Sequence, residues 1–374
     1  MAVDFSKIKK VLTSDIGSGS KGASSSISKE RNYKPKEVVA FDIGSNTIKV
    51  VVGKYSKNRL QVHDMFSFQT PDGAIEDGKI TNQNDLTIAI RSELQKHNVK
   101  AKDAVLATSS STIISRDISI PVVEEDEMET VIKYEIEQYL PIKLDDYIIQ
   151  YVVLDKIVET SGVKYKVNVV AYPKITAQGY YDLMTSLDLN PYVLDVNFNS
   201  LKKIVSHTGS FNGGTVAFVD MGATSINVTI FKNGKLDFTR VIKYGGDSID
   251  YALSSKLNMS AKATESEKIN KSTLVNVSSD DVVSMTVKET MDEILSELER
   301  ILQFYNNQSV GGRVQNLLIY GGSSNIKGLE TYMGDRISIK TSKMDRLANI
   351  EFTGVNNGES VGKYINAIGA IIRY

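Results

Sequence analysis

The stretch that decides the fold is VVAFDIGSNTIKVVVG, residues 38–53. Two apolar runs rich in β-branched residues flank a short polar turn that contains glycine, which predicts a β-hairpin with Asp42 at its mouth. The same pattern returns as VAFVDMGATSINVTIF at residues 216–231, where Asp220 takes the place of Asp42. Two copies of one strand-turn-strand unit predict a duplicated fold made of two α/β domains.

The regions around the hairpins alternate between strand and helix patterns. The predicted elements are a helix at 124–140, strands at 147–154 and 163–171, a helix at 174–187, a helix at 249–257, a polar stretch at 258–280, a helix at 282–305 and a strand at 317–320. In the first helix Met128, Ile132, Ile136 and Leu140 fall on one face. This alternation is typical of an α/β protein.

A third loop follows the strand at 317–320, where Gly321-Gly322-Ser323-Ser324 leads into a further helix. Strand, glycine turn and helix together present backbone amides to an anion. A single Asp-x-Gly hairpin is usually only a turn, because tight turns select Asp and Gly. Three such signals in the order hairpin, hairpin and Gly-Gly turn favour a nucleotide site.

The three loops are expected to contact different parts of a bound nucleoside triphosphate and its metal ion. Small turn residues let phosphate oxygens approach backbone amides, and nearby hydroxyls add donors. Lys49 could place a positive charge on the β or γ phosphate, and Asp42 and Asp220 would face Mg²⁺ through its retained waters. The predicted phosphate and ribose contacts are Gly44, Ser45, Asn46, Thr47, Lys49, Gly222, Ala223, Thr224, Ser225, Gly321, Gly322 and Ser323.

Composition argues against several other classes of function. Lys and Arg number 44 against 45 Asp and Glu, so no global positive field favours nucleic acid as a partner. The absence of cysteine removes disulfides, thiolate catalysis and Cys-based zinc sites together. No apolar run is long enough for a spanning helix and the start lacks a secretion signal, so a cytoplasmic protein is expected.

These motifs carry a resemblance to a known superfamily. FDIGSNTIK at 41–49 resembles the first phosphate motif of the actin, FtsA, sugar-kinase and DnaK superfamily, VDMGATS at 219–225 its second, and IYGGSSNIKG at 319–328 its adenosine motif. Within it, VIKYEIEQYLPI at 131–142, LDVNFNSL at 194–201 and GGDSIDYA at 245–252 look like the PilM family of type IV pilus assembly proteins. The resemblance covers residues 38–374.

The resemblance implies an actin-like ATPase fold, with two duplicated α/β domains flanking a nucleotide cleft and an FtsA-type inserted subdomain. The expected divisions are a flexible tail at 1–36, a first domain at 37–212 with the insertion at about 109–190, a second domain at 213–350 with a smaller subdomain at about 251–295, and a segment at 351–374 that returns to the first domain. Glu267 and Lys268 match the pair that flanks the adenine base in the superfamily, although a solvated charged face is an equal alternative.

PilM proteins bind ATP at the cytoplasmic face of the inner membrane, where they bind the N-terminal cytoplasmic tail of PilN, a protein with one membrane span. The resemblance therefore implies ATP and Mg²⁺ as cofactors, a PilN-like partner and an assembly function. Contacts with other pilus components and self-association stay open.

Departures from the superfamily pattern bear on hydrolysis. Positions that orient the attacking water in actin-type ATPases hold Ala223 and Asn227 here, and Asn197 stands where relatives more often have Glu. An amide cannot usefully accept a proton, so slow turnover or binding without turnover is expected, and no catalytic residue is assigned.

Three other functions stay open as alternatives. A small-molecule kinase would need a carboxylate base beside the γ phosphate, and the phosphate loops offer no third acidic residue. An FtsA-like filament protein usually ends in an amphipathic membrane helix, whereas AIIRY at 370–374 resembles a core helix. The third alternative is a scaffold that kept the fold without the nucleotide.

Overall fold

A computed structural model describes residues 36–139, 143–159, 162–211, 213–308, 312–354 and 360–373 of the chain. The predicted tail at 1–36 lies outside these residues apart from Lys36.

Two sheets form the body of the molecule. The first sheet has six strands in the order β10-β6-β1-β2-β3-β16, and the second has five in the order β13-β12-β11-β14-β15. The strands of the first sheet are β1 (Glu37–Ile43), β2 (Thr47–Ser56), β3 (Arg59–Gln69), β6 (Asp103–Thr108), β10 (Asn190–Val196) and β16 (Ile350–Phe352). Those of the second are β11 (Thr215–Met221), β12 (Ile226–Lys232), β13 (Lys235–Ile242), β14 (Asn316–Tyr320) and β15 (Lys340–Lys343). Between β3 and β6, β4 (Ile75–Glu76) and β5 (Lys79–Ile80) make a two-stranded ribbon.

The two sheets repeat one arrangement of strands. In the first, β1 is antiparallel to β2 and parallel to β6. In the second, β11 is antiparallel to β12 and parallel to β14. Both predicted hairpins are therefore confirmed as the central pair of their sheets, and the duplication is confirmed in the order of the strands.

Helices cover the sheets and divide the interior into cores. The helices are α1 (Gln83–Lys96), α2 (Met128–Tyr139), α3 (Lys174–Ser186), α4 (Asn197–Thr208), α5 (Gly246–Leu257), α6 (Ala261–Lys271), α7 (Val282–Gln308), α8 (Leu329–Ile337) and α9 (Ile365–Ile371). The first sheet carries a core on each face, and α5, α7 and α8 enclose a third core against the second sheet. In the part of the chain that the structure describes, none of these helices is both long and apolar enough to cross a bilayer.

The insertion forms a small layer with its own core. Strands β7 (Ile114–Pro121), β8 (Tyr147–Glu159) and β9 (Gly162–Pro173) pair in the order β7-β9-β8, and α2 packs on them. Met128, Ile132 and Ile136 of α2 are buried in this core, as predicted for the apolar face of this helix, and the fourth predicted residue, Leu140, lies outside the described residues.

The insertion is narrower than the expected 109–190. Helix α3 packs on the core of the first sheet, where Ala177, Tyr180 and Leu183 are buried. The apolar face of α3 therefore belongs to the first half, and the separate core spans only β7 to β9.

The C-terminal segment crosses back to the first sheet. Strand β16 pairs with the edge of β3, and α9 lies against α4 and strands β1, β2 and β6. All seven residues of α9 are buried. A Cβ on Gly369 would stand 2.2 Å from the backbone oxygen of Ser200, so α9 and α4 approach as closely as two backbones can.

Candidate nucleotide site

Two hairpin turns with the same geometry open the site. In the first turn the Gly44 N–H donates to the Thr47 carbonyl at 3.1 Å, and in the second the Gly222 N–H donates to the Ser225 carbonyl at 3.1 Å. A Cβ on either glycine would stand 3.0 Å or less from that carbonyl oxygen. Glycine is therefore required for both turns to close tightly.

The two turns meet across the cleft between the halves of the molecule. Ser45 Oγ donates to Thr224 Oγ1 at 3.4 Å, and Asn46 Nδ2 donates to Glu265 Oε1 on α6 at 3.1 Å. These contacts join the first half to the second hairpin turn and to α6.

The Gly-Gly loop after β14 completes the floor of the cleft. Gly321 has φ 89°, and a Cβ there would lie 2.5 Å from Asp220 Oδ1. Ser323 Oγ donates to the Gly222 carbonyl at 3.2 Å, and a Cβ on Gly246 would lie 2.5 Å from this same Oγ. Gly321 and Gly246 therefore lie where any larger residue would collide with the neighbouring loop.

These loops enclose a cavity of about 500 Å³, which is in the range of small-molecule sites. The structure brings together all but one of the residues predicted from the sequence. Those that line the cavity are Asp42, Gly44, Ser45, Asn46, Thr47, Lys49, Asp220, Gly222, Ala223, Thr224, Ser225, Lys268, Gly321, Gly322 and Ser323. Glu267 does not line it, and its carboxylate pairs with Lys271 at 2.5 Å.

Asp42 and Asp220 lie close together at the base of the cavity. The Asn366 Nδ2 group donates to Asp220 Oδ2 at 2.9 Å and to Asp42 Oδ2 at 3.3 Å. Lys49 Nζ stands 3.9 Å from Asp42 Oδ2. Burial, and then the charge of Asp42, raise the pKa of Asp220 to about 6, against the opposing effects of the Asn366 hydrogen bond and the Lys49 charge.

A second charged group surrounds Lys268 on α6. Its Nζ bonds Asp250 Oδ2 at 2.6 Å and the Gly246 carbonyl at 3.3 Å. Burial raises the pKa of both Asp247 and Asp250, although the nearby Lys268 opposes this. Asp247 and Glu265 also line the cavity, so this side offers polar contacts of both signs.

Four of these groups were not found from the sequence. Asp247 lies inside the GGDSIDYA motif and could have been singled out there, and Asp250 and Glu265 become visible once Lys268 is placed on a helix. Asn366 gives no signal in the sequence, since it is 324 residues from Asp42 and 146 from Asp220.

Three residues stand where actin-type ATPases orient the attacking water, and all three line the cavity: Asn197, Ala223 and Asn227. Asn227 Oδ1 accepts a hydrogen bond from Ser109 Oγ at 3.0 Å, which occupies it within the protein. Asn197 is buried, and its Oδ1 has no hydrogen-bond partner among the described residues. Such an atom can hold a water but cannot take its proton.

A second cavity of about 310 Å³ adjoins the first at the root of the insertion. Ser109, Asn197 and Asn227 line both cavities. Ile114 of β7 and Arg240 of β13 line the second one only, so it lies where the insertion meets the second half.

The donor set fits a magnesium nucleotide. Two carboxylates converge beside turns from which side chains are excluded, and Mg²⁺ takes few protein carboxylates when phosphate oxygens and waters supply its other ligands. Lys49 and the small turns suit the phosphates, and the cleft beside Lys268 and Gly321 suits the nucleoside.

Comparison with known proteins gives one matching family and several similar structures. Residues 40–372 match the profile of the family described as "Type IV pilus assembly protein PilM". A solved structure described as a PilM-PilN type IV pilus biogenesis complex is similar with a TM-score of 0.76 and 21% identity, over 90% of this chain and 99% of that one. The ethanolamine utilization protein EutJ from Carboxydothermus hydrogenoformans is similar with a TM-score of 0.52 and 12% identity, over 90% of this chain and 89% of that one. Together with the duplicated sheets, these likenesses confirm the expected actin-like ATPase fold.

Proposed function

This chain belongs to the family of the type IV pilus assembly protein PilM, and from that premise we propose that it is an ATP-binding adaptor of the pilus assembly machinery that binds the cytoplasmic tail of a PilN-like membrane protein. The family match over residues 40–372 is the observation that carries the proposal. The partner would hold the protein at the inner face of the cytoplasmic membrane.

The ligand of the cleft is ATP with Mg²⁺ in this proposal. Ser45, Asn46, Ala223 and Thr224 stand at the tips of the two turns, where backbone amides and hydroxyls can hold phosphate oxygens. Asp42 and Asp220 would hold the cation, which when bound neutralises phosphate charge.

The nucleoside would lie on the other side of the cleft. Gly321 and Gly322 give it a flat backbone surface, and Lys268 with Glu265 borders it. Mass spectrometry of the nucleotide released from protein purified without added ligand would identify the occupant.

The partner site in this proposal is the insertion, along the free edge of β8 that runs outward from the first half. Strand β8 lies at an edge of the three-stranded sheet, and exposed strand edges can add an extended peptide. Val158 and Leu154 on β8 are exposed, Val158 to 82%, and could receive aliphatic side chains of a tail. The alternative is that this edge is only a protected strand end.

The position of the insertion would couple the two ligands. Ser109, at its root, touches Asn227 and lines both the nucleotide cavity and the second cavity. Closure of the cleft around ATP would therefore change the shape of the second cavity, at the root of the insertion.

Titration of a PilN-like N-terminal tail peptide onto the full chain tests the partner site. The double variant Leu154→Asp, Val158→Asp should weaken binding, since it places charges on the edge that receives the tail. Ile88→Asp is the matched control, because Ile88 is exposed to 69% on α1, outside the insertion. Equal binding of the peptide by all three proteins would contradict the proposed site. No binding by any of them would count against the adaptor function.

A further inference from the structure

Thr70, which directly follows β3, holds the turn of the first hairpin from behind. Its Oγ1 donates to the Gly44 carbonyl at 2.7 Å, and its backbone N–H donates to the Asn46 carbonyl at 2.8 Å. Thr70 is 5% exposed and does not line the nucleotide cavity, whereas Gly44 and Asn46 do. Both carbonyls are therefore held on the side of the turn away from the cavity.

The direction of these carbonyls sets the direction of the amides that follow them. In a planar trans peptide the C=O of one residue and the N–H of the next point in opposite directions. Because the Gly44 C=O points at Thr70, the Ser45 N–H points away from Thr70, on the side where Ser45 lines the cavity. The Asn46 C=O orients the Thr47 N–H in the same way. Carbonyls turned the other way would present acceptors to the cavity, and acceptors repel phosphate oxygens.

The turn of the second hairpin has its carbonyls held by a helix instead. The Gly222 carbonyl accepts from the Gly246 N–H at 3.0 Å, and the Ala223 carbonyl accepts from the Asp247 N–H at 2.9 Å. Gly246 and Asp247 are the first two residues of α5, where backbone N–H groups have no partner within the helix. Two backbone amides therefore do for the second turn what Thr70 does for the first.

The first half uses a side chain for part of this task. After β3 the chain continues as Thr70 and Pro71 toward the β4–β5 ribbon and not as a helix. Proline has no N–H, so Pro71 cannot donate as the second amide of α5 does. The Thr70 hydroxyl supplies that donor, and it reaches the Gly44 carbonyl, the one that sets the Ser45 N–H.

We infer that Thr70 is a positioning residue of the nucleotide site, whose hydroxyl turns the Ser45 N–H toward the phosphate chain. The inference rests on the proposed function, because it takes the ligand of the first turn to be a phosphate. Thr70 acts through Ser45 and does not itself touch the ligand. A backbone N–H that is already aimed at an oxyanion needs no reorganisation when the anion binds, so its hydrogen bond adds more to the affinity.

Thr70→Val tests the hydroxyl alone, since valine keeps the branched shape and the backbone N–H. Without its donor the Gly44 carbonyl is free to turn toward the cavity, and the Ser45 N–H then turns away from it. Calorimetry should show Mg-ATP affinity lowered by about tenfold, because hydrogen bonds to charged groups are the strong ones. Thr70→Ser keeps the hydroxyl and should bind Mg-ATP within about threefold of the unchanged chain.

A second measurement follows the Ser45 amide itself. In protein labelled with ¹⁵N-serine, the Ser45 signal is the one that disappears in Ser45→Ala. Saturating Mg-ATP should move its proton downfield in the unchanged chain and in Thr70→Ser, because a hydrogen bond deshields the proton, and much less in Thr70→Val. A general loss of stability would not move this one amide selectively.

Thr290→Val in α7 is the matched control. Thr290 is 9% exposed and its Oγ1 donates to the Thr286 carbonyl at 3.0 Å, but it does not line the cavity. This variant should lose stability without a change in Mg-ATP affinity. Equal affinity of Thr70→Val and the unchanged chain overturns the inference, and so does an equal loss in Thr70→Val and Thr70→Ser.

Thr70→Cys decides the question if the valine variant does not fold. Cysteine and serine have similar shapes, but a thiol is a weak hydrogen-bond donor. Thr70→Cys should therefore bind Mg-ATP several-fold more weakly than Thr70→Ser, and equal affinities overturn the inference. Failure of the unchanged chain to bind Mg-ATP contradicts the proposed function instead.

Discussion

The β1–β2 hairpin of the first half and the β11–β12 hairpin of the second differ in the residue that pairs with the aspartate of the site. Lys49 stands opposite Asp42 in the first, whereas Asn227 stands opposite Asp220 in the second. The turns themselves close through the same hydrogen bond at the same distance. The backbone of the site is therefore duplicated, but its charge is not.

The difference shows in the two carboxylates. The Asn366 amide donates to both carboxylates, but Lys49 Nζ lies 3.9 Å from Asp42 Oδ2. Burial, and then the charge of Asp42, raise the pKa of Asp220 to about 6. Glycine and strand register fix where each carboxylate stands, whereas burial and the charge of Asp42 set the raised pKa of Asp220. The two halves should therefore contribute differently to ligand binding.

Removal of either carboxylate should have the largest effect. Mg-ATP at 100 times its dissociation constant should stabilise the unchanged protein by about 2.7 kcal/mol, and Asp42→Ala or Asp220→Ala should lose most of this gain. The measurement is the shift in melting temperature with Mg-ATP, and Asp145→Ala in the insertion is the control. A full shift in both cleft variants would show that neither carboxylate holds the cation.

Gly321→Ala should have the second-largest effect on ligand binding. The parallel register places Tyr320 beside Asp220 as it places Ala107 beside Asp42, so the residue that follows is Gly321 in the second half and Thr108 in the first. A side chain at Gly321 would need φ 89° and would press on Asp220 Oδ1 at 2.5 Å. Calorimetry should show ATP affinity reduced by about 100-fold, or roughly 2.7 kcal/mol.

Gly322→Ala is the comparison for this loop. A Cβ there meets no protein atom within 4 Å, so it can disturb only the surface offered to the nucleoside and should cost less affinity than Gly321→Ala. Equal loss of affinity in the two glycine variants would mean that loop flexibility, and not the approach to Asp220, matters.

Lys49→Gln should weaken Mg-ATP by about tenfold to thirtyfold, since it removes a point charge from the phosphates while the ladder is kept. Asn227→Ala, at the matching place in the second hairpin, should change affinity less than about threefold. Calorimetric titration of both variants gives the ratio. Similar losses would remove the asymmetry that separates the two halves.

The pH dependence should come from the second half. With its pKa raised to about 6 from 3.8, Asp220 binds a proton in the folded chain that it has lost in the unfolded chain, so stability without ligand should fall by about 2 kcal/mol as pH rises from 4 to 6. Cation binding needs the ionised form, so Mg-ATP affinity should drop as pH falls below 6. Denaturant unfolding and titration at pH 4 to 8 measure both trends, and Asp220→Asn should abolish them.

The smallest effect is expected on the rate of ATP hydrolysis. Ala223, Asn197 and Asn227 offer no proton acceptor, so steady-state hydrolysis should stay far below the roughly 10 per second of ordinary enzymes. Asn227→Ala should alter this slow rate less than about threefold. Turnover at ordinary rates that disappears in Asp220→Ala, and is thus free of contaminants, would contradict this prediction.

Much of the fold was predictable because the hairpins carry their signal locally. Apolar runs rich in β-branched residues, with Gly44 or Gly222 at the turn, predict a β-hairpin. The order of the three loops along the chain then predicts the cleft. The ends of helices such as Val282–Gln308 and Lys174–Ser186 lie within a few residues of prediction. Local pattern and tertiary packing agree in these elements.

Helix α6 was not predicted, since it lies in the polar stretch at 258–280. Its sequence AKATESEKINK has one large apolar residue, Ile269, so there is no apolar face to detect. Once it is a helix, Glu265 and Lys268 three residues apart share a face, while Glu267 pairs with Lys271 elsewhere. The helix period therefore explains why Glu265, and not Glu267, reaches the cleft.

The part contributed by Asn366 could not have been predicted. Its role depends on contact with residues in both halves, which no local pattern records. The limits of the insertion were missed for a related reason, because α3 has an apolar face that would suit either core until the packing is known.

The position of α9 has a consequence for biosynthesis. Asp42 leaves the ribosome 324 residues before Asn366, and at 5–20 residues per second this interval lasts roughly 16 to 65 s. During that time both sheets can form while the base of the cleft lacks the helix that joins its two carboxylates. A nascent chain should therefore acquire its ligand only after α9 has docked.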